Sequence, residues 1–100
     1  MRLMRFDDYL YRKLQDSDFA AAYLEAALED SPDEFLIAMR KYIQANGGMT
    51  QCAEQTELKR ESIYRMLSPT GNPSMRSLSA ILRAHGLRFS IQQETVKAES

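Results

Sequence analysis

The sequence has 100 residues, of which 44% are hydrophobic, which suits one small domain with a single core. Its 13 basic and 14 acidic residues give a net charge of −1, so bulk positive charge does not point to nucleic acid. One cysteine excludes an internal disulfide, one histidine excludes a His/Cys metal cluster, and no apolar run approaches the ~20 residues that cross a bilayer.

Residues 1–48 predict three N-terminal helices. Phe6, Leu10 and Leu14 recur every four residues, which indicates a short first helix. Asp16 and Ser17 are the candidate N-cap residues of a second helix. Its apolar stripe consists of Phe19, Ala20, Tyr23, Leu24, Ala27 and Leu28.

The run Ser31-Pro32-Asp33-Glu34 predicts the start of the third helix. Ser31 is the expected N-cap, Pro32 suits the first turn, and Glu34 completes a reciprocal capping box. Gly47 is placed to end this helix in the left-handed conformation. The buried face is predicted to comprise Phe35, Leu36, Met39, Tyr42 and Ile43. Four acidic residues lie at 29–34: Glu29, Asp30, Asp33 and Glu34. They either cap the third helix and form a solvated surface, or they bind a basic partner.

Residues 49–67, MTQCAEQTELKRESIYRML, predict two short helices joined by a tight turn, the geometry of a helix-turn-helix. Thr50 is the expected N-cap of the first helix. Ala53 is small enough for a close helix crossing, Leu58 fills the turn, and Ile63 with Met66 anchors the second helix to the core.

The second helix of this unit carries its polar residues on the face that the buried residues leave free. These residues are Lys59, Arg60, Glu61, Tyr64 and Arg65, and such a face would enter a DNA major groove. Thr50 and Gln51 stand at the N-terminus of the first helix, where backbone N–H groups favour a phosphate. The alternative is a helical bundle in which Lys59, Arg60 and Arg65 form only a solvated face.

Residues 75–91 predict a last helix followed by a strand. The helix carries Leu78, Ile81 and Leu82 and stops at Gly86, with His85 half-buried near its end. The alternation of Leu87, Phe89 and Ile91 with polar residues then predicts a β-strand over 87–91. That strand either lies on its own helices or pairs with the same strand of a second subunit. Residues 92–100 are polar, and we expect a disordered tail.

Counting charge by segment changes the meaning of the near-neutral total. Residues 1–48 hold six basic and nine acidic side chains, a net charge of −3. Residues 49–91 hold six basic and three acidic side chains, a net charge of +3, and residues 92–100 add −1. The positive excess therefore coincides with the predicted helix-turn-helix.

Four stretches resemble one family: YLEAAL at 23–28, SPDEFLIAM at 31–39, ESIYRML at 61–67 and GNPSMRSLSAILRAHGLRFSI at 71–91. The most specific part is the run 60–68 with the G-N-P loop that follows it. Together they resemble the HigA-like addiction module antidote proteins, which are helix-turn-helix antitoxins of type II toxin–antitoxin loci. The resemblance extends from about residue 16 to residue 91.

The resemblance implies an all-α, five-helix, lambda-repressor-like DNA-binding domain, usually dimeric, to which the alternation at 87–91 adds a short C-terminal β-strand. Residues 1–6 lack the apolar region of a signal peptide, so we expect a cytoplasmic protein. The resemblance also implies two partners, operator DNA and a RelE/HigB-type toxin that cleaves mRNA, with repression of the protein's own operon. It assigns the DNA-facing role to Gln51, Arg60, Glu61, Ser62, Tyr64 and Arg65. It implies no catalytic residue, and we expect neither a cofactor nor a metal.

Three positions depart from the pattern of that family. Glu57 stands where the turn usually has a left-handed glycine, and Lys59 stands where a Ser or Thr cap is usual. Cys52 replaces a larger aliphatic residue and is expected to pack as a small apolar side chain, a reactive thiol being the alternative. These departures leave two other functions open: a toxin-binding module with weakened DNA binding, or a prophage regulator without a toxin.

Overall fold

The computed structural model describes residues 6–94. The regular secondary structure of these residues consists of α-helices alone, so the predicted all-α class is confirmed. The helices are α1 (Phe6–Lys13), α2 (Ser17–Asp30), α3 (Pro32–Ala45), α4 (Gly48–Thr56), α5 (Arg60–Met66) and α6 (Met75–Ala84). The described part thus holds six helices where the resemblance implies five, because a turn at residues 14–16 separates α1 from α2. None of these helices is long and apolar enough to cross a membrane. Residues 95–100 of the predicted tail lie outside the described residues.

The junctions that begin α2 and α3 are built by their cap residues. The Asp16 carboxylate accepts the backbone N–H groups of Asp18 and Phe19 at 2.9 and 3.3 Å, which confirms it as the N-cap of α2. The Ser31 hydroxyl accepts the Glu34 N–H at 3.0 Å, as predicted. The second hydrogen bond of the predicted capping box, from the Ser31 N–H to the Glu34 side chain, is wrong. The Ser31 N–H donates instead to the carbonyl of Ala27 and so ends α2.

Helix α3 lies at the centre of the core and packs against α1, α2 and α4. All five residues predicted for its buried face are buried, and two of them, Met39 and Ile43, have no exposed surface. Burying an aliphatic side chain of this size contributes about 1.5–3 kcal/mol. The remaining helices and the turns beside them supply the rest of the core, including Leu10, Leu14, Ala20, Leu24, Met49, Cys52, Ile63, Leu67, Leu78, Ile81 and Leu82.

Side-chain contacts of Asn46 and His85 tie α3 to the neighbouring elements. The Asn46 side-chain amide donates to the carbonyls of Leu14 and Tyr42, both at 3.0 Å, and so ties the α1–α2 turn to α3. His85 lies at the end of α6 with its Nδ1 2.9 Å from the Ile81 carbonyl, and its ring meets the Tyr42 ring edge-on at 5.1 Å. The prediction that His85 is half-buried at a helix end is confirmed.

The predicted strand at 87–91 is wrong, since no strand occurs among the described residues. The segment is extended, but it lies on the helices: the Leu87 N–H donates to the Leu82 carbonyl, and the Phe89 ring packs 5.9 Å from the Phe35 ring. An extended chain lying on a core points alternate side chains inward even when its backbone is unpaired, which explains the period of two. Ile91, beyond these contacts, is 99% exposed.

Candidate nucleic-acid interface

The first helix of the predicted helix-turn-helix starts earlier than the sequence indicated. Gly47 and Gly48 have φ angles of +107° and +84°, and this left-handed backbone reverses the chain directly from α3 into α4. The prediction that Thr50 caps α4 is therefore wrong, because Gly47 is the N-cap and Thr50 lies exposed in the first turn. The Gly47 φ itself confirms the left-handed conformation predicted there.

Gln51 is exposed, but its side chain folds back over the start of its own helix. Its amide group occupies the space where a Cβ at Gly47 would lie, so any other residue at 47 would displace it. Both Thr50 and Gln51 stand on the first turn of α4, at the end of that helix opposite the turn leading to α5. The backbone N–H groups of this turn have no acceptor inside the helix, as phosphate binding requires.

The turn between α4 and α5 is formed by residues 57–59. Glu57 adopts φ +62°, the left-handed conformation expected from its position, and its N–H donates to the Ala53 carbonyl at 2.9 Å. The Thr56 hydroxyl donates to the Cys52 carbonyl at 2.7 Å and accepts the Leu58 N–H at 3.3 Å. These bonds hold the turn in shape although a non-glycine residue in this conformation costs about 1–2 kcal/mol.

Helix α5 is short and is held to the core at two points. Ile63 and Leu67 are buried with 0% and 1% exposure, which confirms the predicted anchoring by Ile63. The second predicted anchor, Met66, is only half-buried, because the next residue, Leu67, faces the core in its place. Lys59 is the N-cap of α5 and is exposed, and it makes no side-chain cap hydrogen bond because an ammonium group has no acceptor. The residues predicted to face DNA are placed with Lys59, Arg60, Glu61 and Arg65 exposed and with Ser62 and Tyr64 half-buried.

Tyr64 is the centre of a cationic cluster on the outer side of α5. The Arg60 guanidinium carbon lies 5.1 Å from the centroid of the Tyr64 ring, and that of Arg40 lies 5.5 Å from it. Arg65 donates to the Ser62 hydroxyl at 3.3 Å, which directs this guanidinium along the same helix. Planar guanidinium groups ordered on an aromatic ring are suited to phosphate and base-edge contacts.

Arg40 is the residue that the sequence did not assign to this surface. It lies on α3, within the segment whose net charge is −3, and its local pattern is that of an ordinary half-exposed helix position. Only the tertiary structure, in which α3 and α5 both pack against α4, brings its guanidinium over the Tyr64 ring. We define the basic surface as Arg40, Lys59, Arg60, Tyr64 and Arg65.

The two groups with shifted pKa values lie in the core. Cys52 is 1% exposed, and burial raises the pKa of its thiol above the ordinary 9.0, so the nucleophilic thiolate is disfavoured. Burial likewise raises the pKa of the Tyr42 hydroxyl. The interpretation of Cys52 as a packed apolar side chain is confirmed. Within residues 6–94, no group of three or more acidic, His or Cys side chains is arranged to hold a metal ion.

Comparison with known proteins matches nearly the whole chain to one family. The sequence model of that family, described as a probable addiction module antidote protein, matches residues 2–93. An uncharacterized protein of Haemophilus influenzae is 31% identical over 71 residues, which cover 71% of this chain and 73% of that protein. No solved structure matches the chain.

Proposed function

This chain belongs to the family of probable addiction module antidote proteins, and we propose that it is a HigA-like antitoxin with two activities. It neutralises a RelE/HigB-type toxin that cleaves mRNA, and it represses its own operon in the cytoplasm by binding operator DNA. Membership of an antidote family implies the toxin partner, and antitoxins are generally not enzymes. The cluster of Arg40 and Arg60 around Tyr64 is the observation that supports the DNA-binding half.

Each residue of the basic surface has a role that follows from its chemistry. Arg60 and Arg65 contact guanine edges or phosphates, since a guanidinium can bond bidentately to either. Tyr64 contacts a phosphate or a thymine methyl group, while Arg40 and Lys59 contact phosphates. Two further residues of α5 lie outside this surface. Glu61 accepts a hydrogen bond from a cytosine amino group, and the Ser62 hydroxyl holds the Arg65 guanidinium in position.

The start of α4 and the phosphate backbone form the second part of the proposed complex. The N–H groups at Thr50 and Gln51 donate to a phosphate, and the Gln51 amide swings away from Gly47 to join them. Such contacts fix the register of α5 in the major groove without reading sequence.

A homodimer is part of this proposal, because two copies present two recognition helices to a palindromic site, about 34–36 Å apart. The segment 87–91 lies on its own helices, so the proposed dimer does not depend on pairing of this segment. Sedimentation velocity at micromolar concentration tests the dimer, and a strict monomer would refute it.

A toxin-binding module with weakened DNA binding is the second candidate. Glu57 places a carboxylate on an exposed position in the turn, where it opposes the phosphates of DNA, and residues 1–48 carry a net charge of −3. Lys59 also leaves α5 without a side-chain cap. These features weaken a DNA complex but have no effect on a protein partner that binds elsewhere.

A gel-shift measurement on the DNA upstream of the gene separates the two candidates. At fixed salt, wild type binds that DNA specifically at nanomolar concentration, and Arg60→Ala weakens binding by about 1–3 kcal/mol, or roughly 5–150-fold. Arg83→Ala, an exposed arginine on α6 outside the basic surface, is the matched control and changes affinity little. Absence of specific binding by wild type would favour the second candidate, and an unchanged Arg60→Ala affinity would remove Arg60 from the DNA contacts.

A further inference from the structure

A groove of about 860 Å³ runs along the side of α2, away from the basic surface. One wall is α2, and the other is the extended segment 87–94 at the end of the described chain. Its floor is apolar and consists of Leu24, Phe35, Leu82, Leu87 and Phe89. This volume is in the range of cavities that hold a ligand or a few side chains of a partner.

The wall formed by α2 has a regular helical pattern. Ala21, Leu24, Glu25, Leu28 and Glu29 line the groove, and their spacing of three and four residues puts them on one side of the helix. Leu28 belongs to the apolar stripe predicted for α2, but it is 43% exposed, because it lies at the edge of the groove rather than in the core. A leucine at the edge of an apolar groove gains little hydrophobic free energy on folding, and it would gain more if a partner covered it.

The rim of the groove is acidic. Glu25 and Glu29 on α2 and Glu94 on the opposite wall give three carboxylates against the single cation Arg88. Helix α2 as a whole, SDFAAAYLEAALED, contains four acidic residues and no Lys or Arg. The rim therefore attracts a cationic segment and repels an acidic one.

We propose that this groove is the docking site for the toxin, which presents a basic amphipathic segment to it. Apolar side chains of that segment pack on Leu28 and the floor, and its Lys or Arg residues meet Glu25, Glu29 and Glu94. This inference rests on the proposed toxin-neutralising function. It also places toxin binding on residues that share none of the basic surface, so both activities can operate on one chain.

A second copy of this chain is a poorer occupant for a physical reason. A two-fold dimer through this face would bring each surface against itself. The Glu25 and Glu29 carboxylates of both copies would then face each other across the interface, and like charges at close range oppose association.

The test uses the full chain and the purified product of the reading frame next to its gene. Binding is measured by isothermal titration at about 150 mM salt, where long-range charge effects are screened. Leu28→Glu and the double variant Glu25→Lys/Glu29→Lys are expected to weaken binding about tenfold or more. Ala26→Glu, also exposed on α2, and Asp8→Lys/Glu54→Lys, an equal charge change at exposed positions outside the groove, are the controls and are expected to stay within about threefold.

The outcomes distinguish a failure of the groove proposal from a failure of the proposed toxin-neutralising function. Thermal denaturation first shows that each variant is folded, which is expected because all the substituted side chains are exposed. If wild type binds and both groove variants bind equally well, the groove is refuted while toxin binding stands. If wild type does not bind the neighbouring protein, the toxin-neutralising function fails and the groove proposal fails with it. If Leu28→Glu instead disrupts a homodimer in sedimentation, the occupant is a second copy and the proposal is overturned.

Discussion

Replacing Glu57 by glycine is predicted to stabilise the protein. Glu57 has φ +62°, a conformation that costs a residue with a Cβ about 1–2 kcal/mol and costs glycine almost nothing. The side chain is exposed, and the hydrogen bond from the residue's N–H to the Ala53 carbonyl survives the change. Glycine adds about 0.4–1 kcal/mol of entropy to the unfolded chain. The expected net gain in the free energy of unfolding is therefore about 0.5–1 kcal/mol.

Glu54→Gly is the matched control for this substitution. Glu54 is exposed on α4, three residues before Glu57, and its replacement removes the same carboxylate and introduces the same glycine. Because Glu54 has an ordinary helical backbone, glycine there is expected to cost about 1 kcal/mol. The two variants should thus shift stability in opposite directions, which no effect of charge or composition explains.

Thermal denaturation followed by circular dichroism measures both changes. For a domain of this size, 1 kcal/mol corresponds to about 4–8 °C in Tm, so Glu57→Gly should raise Tm by roughly 2–8 °C. Glu54→Gly should lower it by a similar amount. A fall in Tm for Glu57→Gly, or equal shifts for both variants, would refute the assignment of strain to the turn.

Three further predictions test the core, a cap and the basic surface. Because burial raises the pKa of the Cys52 thiol above its ordinary 9.0, the unfolded chain loses this proton first and stability falls as pH rises beyond about 9. In urea denaturation at about pH 8 and 10, Cys52→Ala should show a smaller fall than wild type, and an equal fall would contradict this. Ser31→Ala, which removes the cap of α3, should lower the free energy of unfolding by about 1 kcal/mol, whereas Ser31→Asp should retain most of it; equal melting temperatures would exclude the cap contribution. Tyr64→Leu should cost about 1–2 kcal/mol by removing the ring that two guanidinium groups contact, and a Tyr64→Phe variant as unstable as Tyr64→Leu would show that the cation–π contacts contribute nothing.

The buried face of α3 shows where sequence reasoning succeeds. Every residue predicted for it is buried, because a helix in contact with a core imposes a period that its apolar residues must follow. The left-handed backbone at Gly47 and Glu57 was also anticipated, the first from residue type and the second from the resemblance. Both positions follow a helix end, where backbone conformation is decided locally.

The start of α4 and the segment 87–91 show where sequence reasoning fails. Thr50 is a good N-cap residue, but two consecutive left-handed glycines reverse the chain before it is reached. Leu87 and Phe89 do alternate with exposed residues, as predicted. A period of two shows only which side chains face the core, and it does not show whether the backbone is hydrogen-bonded to a neighbouring strand. A strand needs a partner, and a local pattern cannot supply one.

For this protein, the sequence by itself determined the all-helical class, the buried face of α3, the polar face of α5 and the family. These follow from interactions between residues a few positions apart, whose spacing along the chain fixes their spacing in the helix. Only the tertiary structure decided that Arg40 stacks on Tyr64, and that Leu28 borders a groove closed by a segment some sixty residues away. Those contacts depend on how α3 and α5 each pack against α4 and on where the chain after α6 passes beside α2, which no local period encodes.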